Sequence, residues 1–302
     1  MTIQELFLRD RRRRGAPSDP SLPTPGATGD RDIVLVEIRP TSKTARWRPP
    51  RSVRRAIGPV SVLVLWWLLN VTGAMPSSVL AGPGEVLKAG WQLLENGQLP
   101  SAMGVSAERV AEGFLIGAII GTVLAVVSGL SRIGEDIVDS TVGMLRTLPW
   151  VGLIPLFIIW FGIDQAPKVA LVALAVTFPL YMNIYAGIRG VDAQLIEAAT
   201  MLGLRRRGLI THVVLPGALP GVLVGVRYAL GNAWLALVFA EQVNASNGIG
   251  ALMNTAEENY QTDIIVVCLV VYAILGLFTD LIVRLLIRYA LAWRPSFEGT
   301  GR

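Results

Sequence analysis

Stretches of predominantly apolar residues recur along the chain at approximately 57–75, 104–129, 137–161, 167–187, 217–241 and 264–288, separated by short polar intervals. A helix crosses a bilayer with about 20 such residues, so the pattern predicts six transmembrane helices and an all-α polytopic membrane protein. Residues 76–103 are too polar to span and predict a loop carrying one amphipathic surface helix, Val86 to Leu94. The third stretch contains Pro149 and Pro155, each of which removes a backbone donor and favours a kink. With Trp150, Phe157, Trp160 and Phe161 around them, they fit either the wall of a pore or gate or a packing kink with interfacial aromatics.

One polar interval is longer and itself helix-patterned. Over 188–216, Ile188, Val191, Leu195, Ala199 and Leu202 recur at three- and four-residue steps and predict one apolar helix face. Gly203 follows where a helix ends most readily in the left-handed conformation. Arg205, Arg206 and Arg207 come next, then a second short apolar run that stops at Pro216. The expectation is a helix, a turn and a second helix, held at both ends by membrane spans and presented to another molecule.

Composition agrees with a membrane protein. Hydrophobic residues make up 52% of 302 and charged residues 16%, and the mean hydropathy is +0.53, more apolar than an ordinary soluble domain. One Cys (Cys268) and one His (His212) exclude a disulfide framework and any multi-His or multi-Cys metal site. None of the three lysines, Lys43, Lys88 and Lys168, follows a glycine, and no Gly-x4-Gly-Lys-Ser/Thr occurs. The chain therefore has no phosphate-cradling loop with which to hydrolyse ATP, and His-Glu-x-x-His and Gly-x-Ser-x-Gly are equally absent. A secondary transporter is disfavoured by the lack of an internal repeat, and a membrane enzyme by the lack of a catalytic constellation.

The net charge of +5 is uneven: residues 1–55 hold 13 Lys or Arg against 6 Asp or Glu. Residues 1–50 read as a disordered, basic cytoplasmic tail, with 32–38 (DIVLVEI) as a short strand-like exception and no cleavable signal. A basic collar over 46–55 precedes the first span. Polytopic topology explains these residues without invoking nucleic acid. With the N-terminus inside, Arg132, Arg189, Arg205 to Arg207, Arg288, Arg294 and Arg302 join the tail on the inner side, while the outer loops hold only Lys88 and Lys168. The positive-inside rule thus places both termini in the cytoplasm.

Charges within spans default to a functional reading. Arg227 lies in the fifth span, Asp280 and Arg284 one turn apart in the sixth, and Arg146 before the third-span kink. Two readings stand: ion pairing of Asp280 with Arg284 and with Arg227, or attraction of a passing anion by Arg227. Thr177, Asn183, Asn232 and Gln242, with Trp150 and Pro155, are further candidates for a translocation path. Glu241 closes the fifth span, as a cap or a cross-link to the outer loop, and 247–250 (NGIG) is a tight turn. Asn70-Val-Thr72 and Asn244-Ala-Ser246 match the glycosylation pattern by chance.

Glu197-Ala198-Ala199, three residues, Gly203, nine residues, then Val213-Val214-Leu215-Pro216 resembles the EAA loop of binding-protein-dependent ABC importer permeases, with Val213 in the place of the usual Ile. The stretches 145–163, 231–241 and 247–250 resemble the branch that imports sulfonates, taurine, nitrate or bicarbonate. The resemblance covers roughly residues 76–293. It implies a type I ABC importer (MetI-like) permease domain over 51–302, working as a homodimer in the inner membrane. Leu195, Glu197, Ala198, Ala199, Gly203, Leu204 and Pro216 would form the contact to a partner ATPase. It implies two P-loop ATPase subunits that hold ATP, an extracytoplasmic solute-binding protein, surrounding lipid, and no cofactor in this chain.

Overall fold

A computed structural model describes residues 51–76 and 79–292; the tail with its 32–38 segment, Arg294 and Arg302 lie outside the described residues. The chain divides into a unit Met1–Val53 and a unit Arg54–Arg302, and the described residues belong to the second apart from the start of the first helix. Among them the secondary structure is helical: α1 (Arg51–Val71), α2 (Pro83–Glu95), α3 (Gln98–Leu130), α4 (Arg132–Leu145), α5 (Trp150–Phe161), α6 (Gln165–Arg189), α7 (Ala193–Met201), α8, α9 (Ile249–Glu258) and α10 (Thr262–Ala290). Helix α8 opens as Arg206–Leu209, passes through a π turn, Ile210–Val214, and continues as Leu215–Asn244.

Four of these, α3, α6, α8 and α10, are each long and apolar enough to cross a membrane. The first predicted span is present as α1, whose apolar part, Ile57–Val71, is shorter. The third is not one helix. It is the pair α4 and α5, bent by 83° at the intervening residues. Pro149 sits at that break in an extended conformation. Pro155 lies in the first turn of the α-helix Ile154–Phe161, where proline is well tolerated, and the 83° bend falls before Trp150, not at Pro155.

Packing explains why the pair exists. Gly113, Gly117 and Gly121 form a small-residue stripe on α3, spaced four apart, that admits α6 to backbone contact. A Cβ at Gly117 would lie 2.3 Å from the Ala173 carbonyl oxygen, and one at Gly113 would lie 2.6 Å from Val172. Further along, Gly121 meets Thr177 and Gly129 meets Ile188. The numbers rise together, so α3 and α6 run parallel. The chain must return over the length of α6, about 37 Å at 1.5 Å per residue, and α4 with α5 makes that return.

On its other side α6 packs antiparallel against α8, where Gly225 approaches Leu180, Gly221 approaches Asn183 and Gly187 approaches Ala218. Leu180 is buried between the two seams, facing Gly121 on one side and Gly225 on the other, whereas Val172 and Val176 are buried against α3. The amphipathic helix predicted over 86–94 is α2; it buries Val86, Ala89 and Leu93 and meets α10, with Gly90 beside Val267.

Gly117→Leu is expected to overpack the α3–α6 seam at a cost of about 2–3 kcal/mol, read as a lower Tm of the purified protein in detergent. Gly104→Leu, on the same helix with nothing within 4 Å of its Cβ position, is the control and should leave Tm unchanged.

Candidate functional site

The polar loop is built as a capped helix and a turn. Helix α6 ends at Arg189, and Gly190 is its C-cap. Asp192 then caps α7, its side chain accepting the Gln194 N–H at 2.9 Å. The continuous apolar face expected from Ile188 to Leu202 is therefore split between two helices. Ile188 is buried in α6 and Ala199 is buried under α7, whereas Leu195 is 59% exposed, Met201 87% and Leu202 83%. The three- and four-residue period marks an outward apolar surface as well as an inward anchor. Glu197 and Ala198 are also exposed, and Leu204 is half-buried.

Gly203 is where local chemistry expected it. Its φ is +85°, its N–H bonds to the Thr200 carbonyl at 3.0 Å, and the Leu204 N–H bonds to the Ala199 carbonyl at 3.1 Å. That pair of bonds is the Schellman closure. The second apolar run does not stop at Pro216. It enters α8 through the π turn 210–214. A proline ring at 216 would collide with the carbonyl of residue 212 in an unbroken α ladder, and the wider turn just before it removes that conflict.

The loop is tied back to the bundle. Arg206 Nη2 donates to the Leu130 carbonyl at the end of α3, at 3.4 Å. Arg189, at the end of α6, pairs with Glu135 of α4, which also accepts from Tyr185 Oη at 2.7 Å. The neighbouring Asp139 accepts from Tyr181 Oη at 2.9 Å.

Of the charges within spans, Arg227, Asp280 and Arg284 come together. Asp280 accepts from Arg227 Nε at 2.7 Å and from Arg284 Nε at 2.6 Å. Both pairings expected from sequence form at one carboxylate. Arg227→Gln therefore does not strand a lone carboxylate, because Arg284 remains on it. Arg227 and Asn232 also line a cavity of about 570 Å³ between α8 and α10, with Tyr228, Thr279 and Asp280. The other path candidates lie elsewhere. Thr177 is buried against α3, its hydroxyl donating to the Ala173 carbonyl at 2.8 Å. The Asn183 amide donates to the Pro179 carbonyl. Trp150 stacks edge-on with Phe239, centroids 5.7 Å apart. Pro155 begins an α-helix, and Gln242 contacts Met253 and Asn254. Arg146 Nη1 lies 3.0 Å from Met182 Sδ. Within one chain these residues do not form a single lining.

Of the two most buried charges, the sequence singled out Glu241 but not its partner Arg109. Arg109 is 2% exposed and Glu241 fully buried, and they pair at 2.5 Å. Arg109 Nη1 also donates to the Asn247 carbonyl at 2.8 Å, Nη2 to the Asn247 side chain, and Nε to Gln165 Oε1 at 2.5 Å. Glu241 accepts from Ser106, from Tyr272 Oη at 3.0 Å and from the Gly250 N–H at 2.8 Å. Glu241 is thus a cross-link to the outer loop and not a helix cap. The glycines of 247–250 follow from it: Gly248 has φ +103°, and a Cβ there would lie 2.5 Å from Glu241 Oε1. Among the described residues, no group of three His, Cys, Asp or Glu could hold a metal.

Glu241→Ala is expected to leave the Arg109 guanidinium buried without its counter-charge and to cost about 3–5 kcal/mol. Arg109→Met with Glu241→Leu should recover at least half of that loss. Thermal unfolding of the purified variants in detergent decides, and equal Tm for parent and Glu241→Ala would contradict the network's role.

Comparison with known proteins follows the same line. Residues 113–289 match the model of the binding-protein-dependent transport system inner membrane component family. The chain is 44% identical over 240 residues to the putative aliphatic sulfonates transport permease protein SsuC of Escherichia coli (strain K12), covering 80% of this chain and 91% of that one. It is 32% identical over 273 residues to the taurine transport system permease protein TauC of the same organism, covering 88% and 99%. A crystal structure of the inward-facing MetNI methionine ABC transporter shares the fold, with a TM-score of 0.52 at 20% identity over 66% of this chain and 96% of that one. With a helical bundle that crosses the membrane and a Schellman-closed loop at one end, this chain belongs to the family of binding-protein-dependent transport system inner membrane components.

Proposed function

We propose that this chain is the permease subunit of an ATP-driven importer that passes an aliphatic sulfonate, taurine included, from an extracytoplasmic binding protein into the cytoplasm. The relatives' printed substrates support the cargo. The observation that carries the role is the capped helix–turn over 192–204, which presents Leu195, Met201 and Leu202 outward on a loop continuous with α6.

Burial of a large apolar side chain is worth about 1.5–3 kcal/mol, whereas an exposed ion pair is worth about 0–1 kcal/mol. These three residues therefore dominate the grip of a partner ATPase, and Glu197 contributes register more than affinity. Two copies of the chain line one path, and two ATPase subunits, which hold the ATP, each grip one loop. The Lys and Arg distribution supports a loop and both termini in the cytoplasm. The Asn247–Gly250 turn, locked by Arg109 and Glu241, then faces outward, where the binding protein docks. ATP-driven closure of the ATPases draws the two loops together, and the bundle shifts between two states that the nucleotide binds unequally.

Leu202→Cys in a Cys268→Ser background tests role and orientation together. The expected result is no labelling by an impermeant maleimide in intact cells, rapid labelling in inverted vesicles stripped of the ATPase, and protection of about tenfold or more when the ATPase is restored, as burial at an interface requires. Labelling from outside would overturn the orientation, and equal rates with and without ATPase would overturn the docking role.

A further inference from the structure

The Arg227 cluster differs from every other ion pair described above in having charge to spare. Asp280 engages both arginines through their Nε atoms. Among the described residues no other hydrogen bond reaches either guanidinium. Two guanidiniums share one carboxylate, so the cluster carries a net positive charge, and Arg227 is the guanidinium that lines the cavity while Arg284 stands outside it. No other acid lines that cavity, whose remaining walls include Val224, Leu230, Val283 and Ile287. The Asn232 amide, also without a hydrogen bond among the described residues, is the second donor there. Thr279 is not a donor, because its hydroxyl is already given to the Gly276 carbonyl at 2.8 Å.

Depth makes the surplus charge consequential. Arg227 lies about 18 Å along α8 from Leu215, and Asp280 about 15 Å from the end of α10, at 1.5 Å per residue. A net positive charge at such a level is costly and calls for a counter-ion. A guanidinium whose Nε is fixed by a carboxylate keeps its outer N–H edge in place, which suits two oxygens of a sulfonate or phosphate group. The space of about 570 Å³ falls in the range of small-ligand sites.

We propose that this cavity is an oxyanion site, taking a singly charged tetrahedral head, –SO3⁻ or phosphate, on Arg227 and Asn232. Asp280 is a positioning residue that aims the fork, and Arg284 is a positioning residue that keeps the site's net charge positive. The importer reading supplies one source of such a head, the passing sulfonate; the other is the phosphate of an anionic phospholipid, which, unlike that of phosphatidylcholine, has no choline cation beside it to neutralise it.

The test uses the ATPase-bound importer in nanodiscs, with methanesulfonate as probe and calorimetry as readout. In phosphatidylcholine discs the parent is expected to bind saturably, and Arg227→Gln to lose about tenfold or more in affinity, the scale of one charge-assisted bidentate contact. Arg284→Gln, which changes no cavity wall, should still lose several-fold, and Arg284→Lys should restore binding to about the parental value by returning the charge; a purely structural Arg284 would not show that split. In discs containing phosphatidylglycerol, weaker methanesulfonate binding and retention of that lipid by the parent but not by Arg227→Gln, seen by native mass spectrometry, assign the site to a lipid phosphate. Unaltered methanesulfonate affinity in those discs assigns it to the cargo. Should Arg227→Gln fail to assemble, the Arg284 pair still decides. Equal binding of both probes by the parent, Arg227→Gln and Arg284→Gln, or no binding by the parent, overturns the proposal. None of these readouts depends on transport, so the site can fail while Leu202→Cys still reports a docked loop.

Discussion

The close parallel contact of α3 with α6 governs the rest of the bundle. Gly113, Gly117 and Gly121 bring the two backbones together in a setting where lipid offers no hydrophobic drive between helices, and packing and hydrogen bonding must supply the association. Parallel neighbours cannot be joined by a short turn, so the chain has to cross back between them. It does so as the broken pair α4–α5, with Pro149 at the bend. The opposite side of α6 is taken by α8 through a second set of glycines. Helix α6 is therefore held on both sides, and its last turn leads through Gly190 and Asp192 straight into the loop that carries Leu195 and Leu202. Through Arg189, Tyr185 and Glu135 the same turn is joined to the broken pair. The loop, α6 and α4 are thus joined by direct covalent and hydrogen-bonded connections.

Charge is handled in two opposite ways at two levels of the bundle. Arg109 and Glu241 are sealed from solvent, balanced one to one, and surrounded by donors and acceptors that leave neither short. A buried pair of that kind is weak evidence for stability, because desolvation offsets the attraction. Its effect is to specify where the Asn247–Gly250 turn sits, through two glycines that only this arrangement requires. The Arg227 cluster is half-exposed and unbalanced. The first fixes a surface, and the second leaves an electrostatic demand that a ligand can meet.

Much of this was legible in the chain, and the exceptions have physical reasons. Spans could be read because a bilayer demands length and apolarity together, and Gly203 could be read because the Schellman turn is local. The break at Gly190 was hidden because the apolar period runs through it unaltered. Period alone also could not tell an inward stripe from an outward one, since Leu195 and Leu202, which face out, share it with Ile188 and Ala199, which are buried. Pro216 looked like a stop because a π turn, invisible in composition, absorbs its missing hydrogen bond. The Arg109–Glu241 pair, 132 residues apart, needed the topology before it could be seen, and the 247–250 glycines made sense only afterwards.

The central claim is that the Gly203 turn couples the partner ATPase to the bundle. A valine at φ +85° costs about 1–3 kcal/mol, enough to unwind a turn of one helix but small against a bundle whose core lies elsewhere. Binding-protein-stimulated ATP hydrolysis and uptake by a reconstituted importer carrying Gly203→Val measures the claim directly. The account predicts normal membrane insertion with stimulation and uptake lost. Hydrolysis and uptake at the parental rate would contradict it.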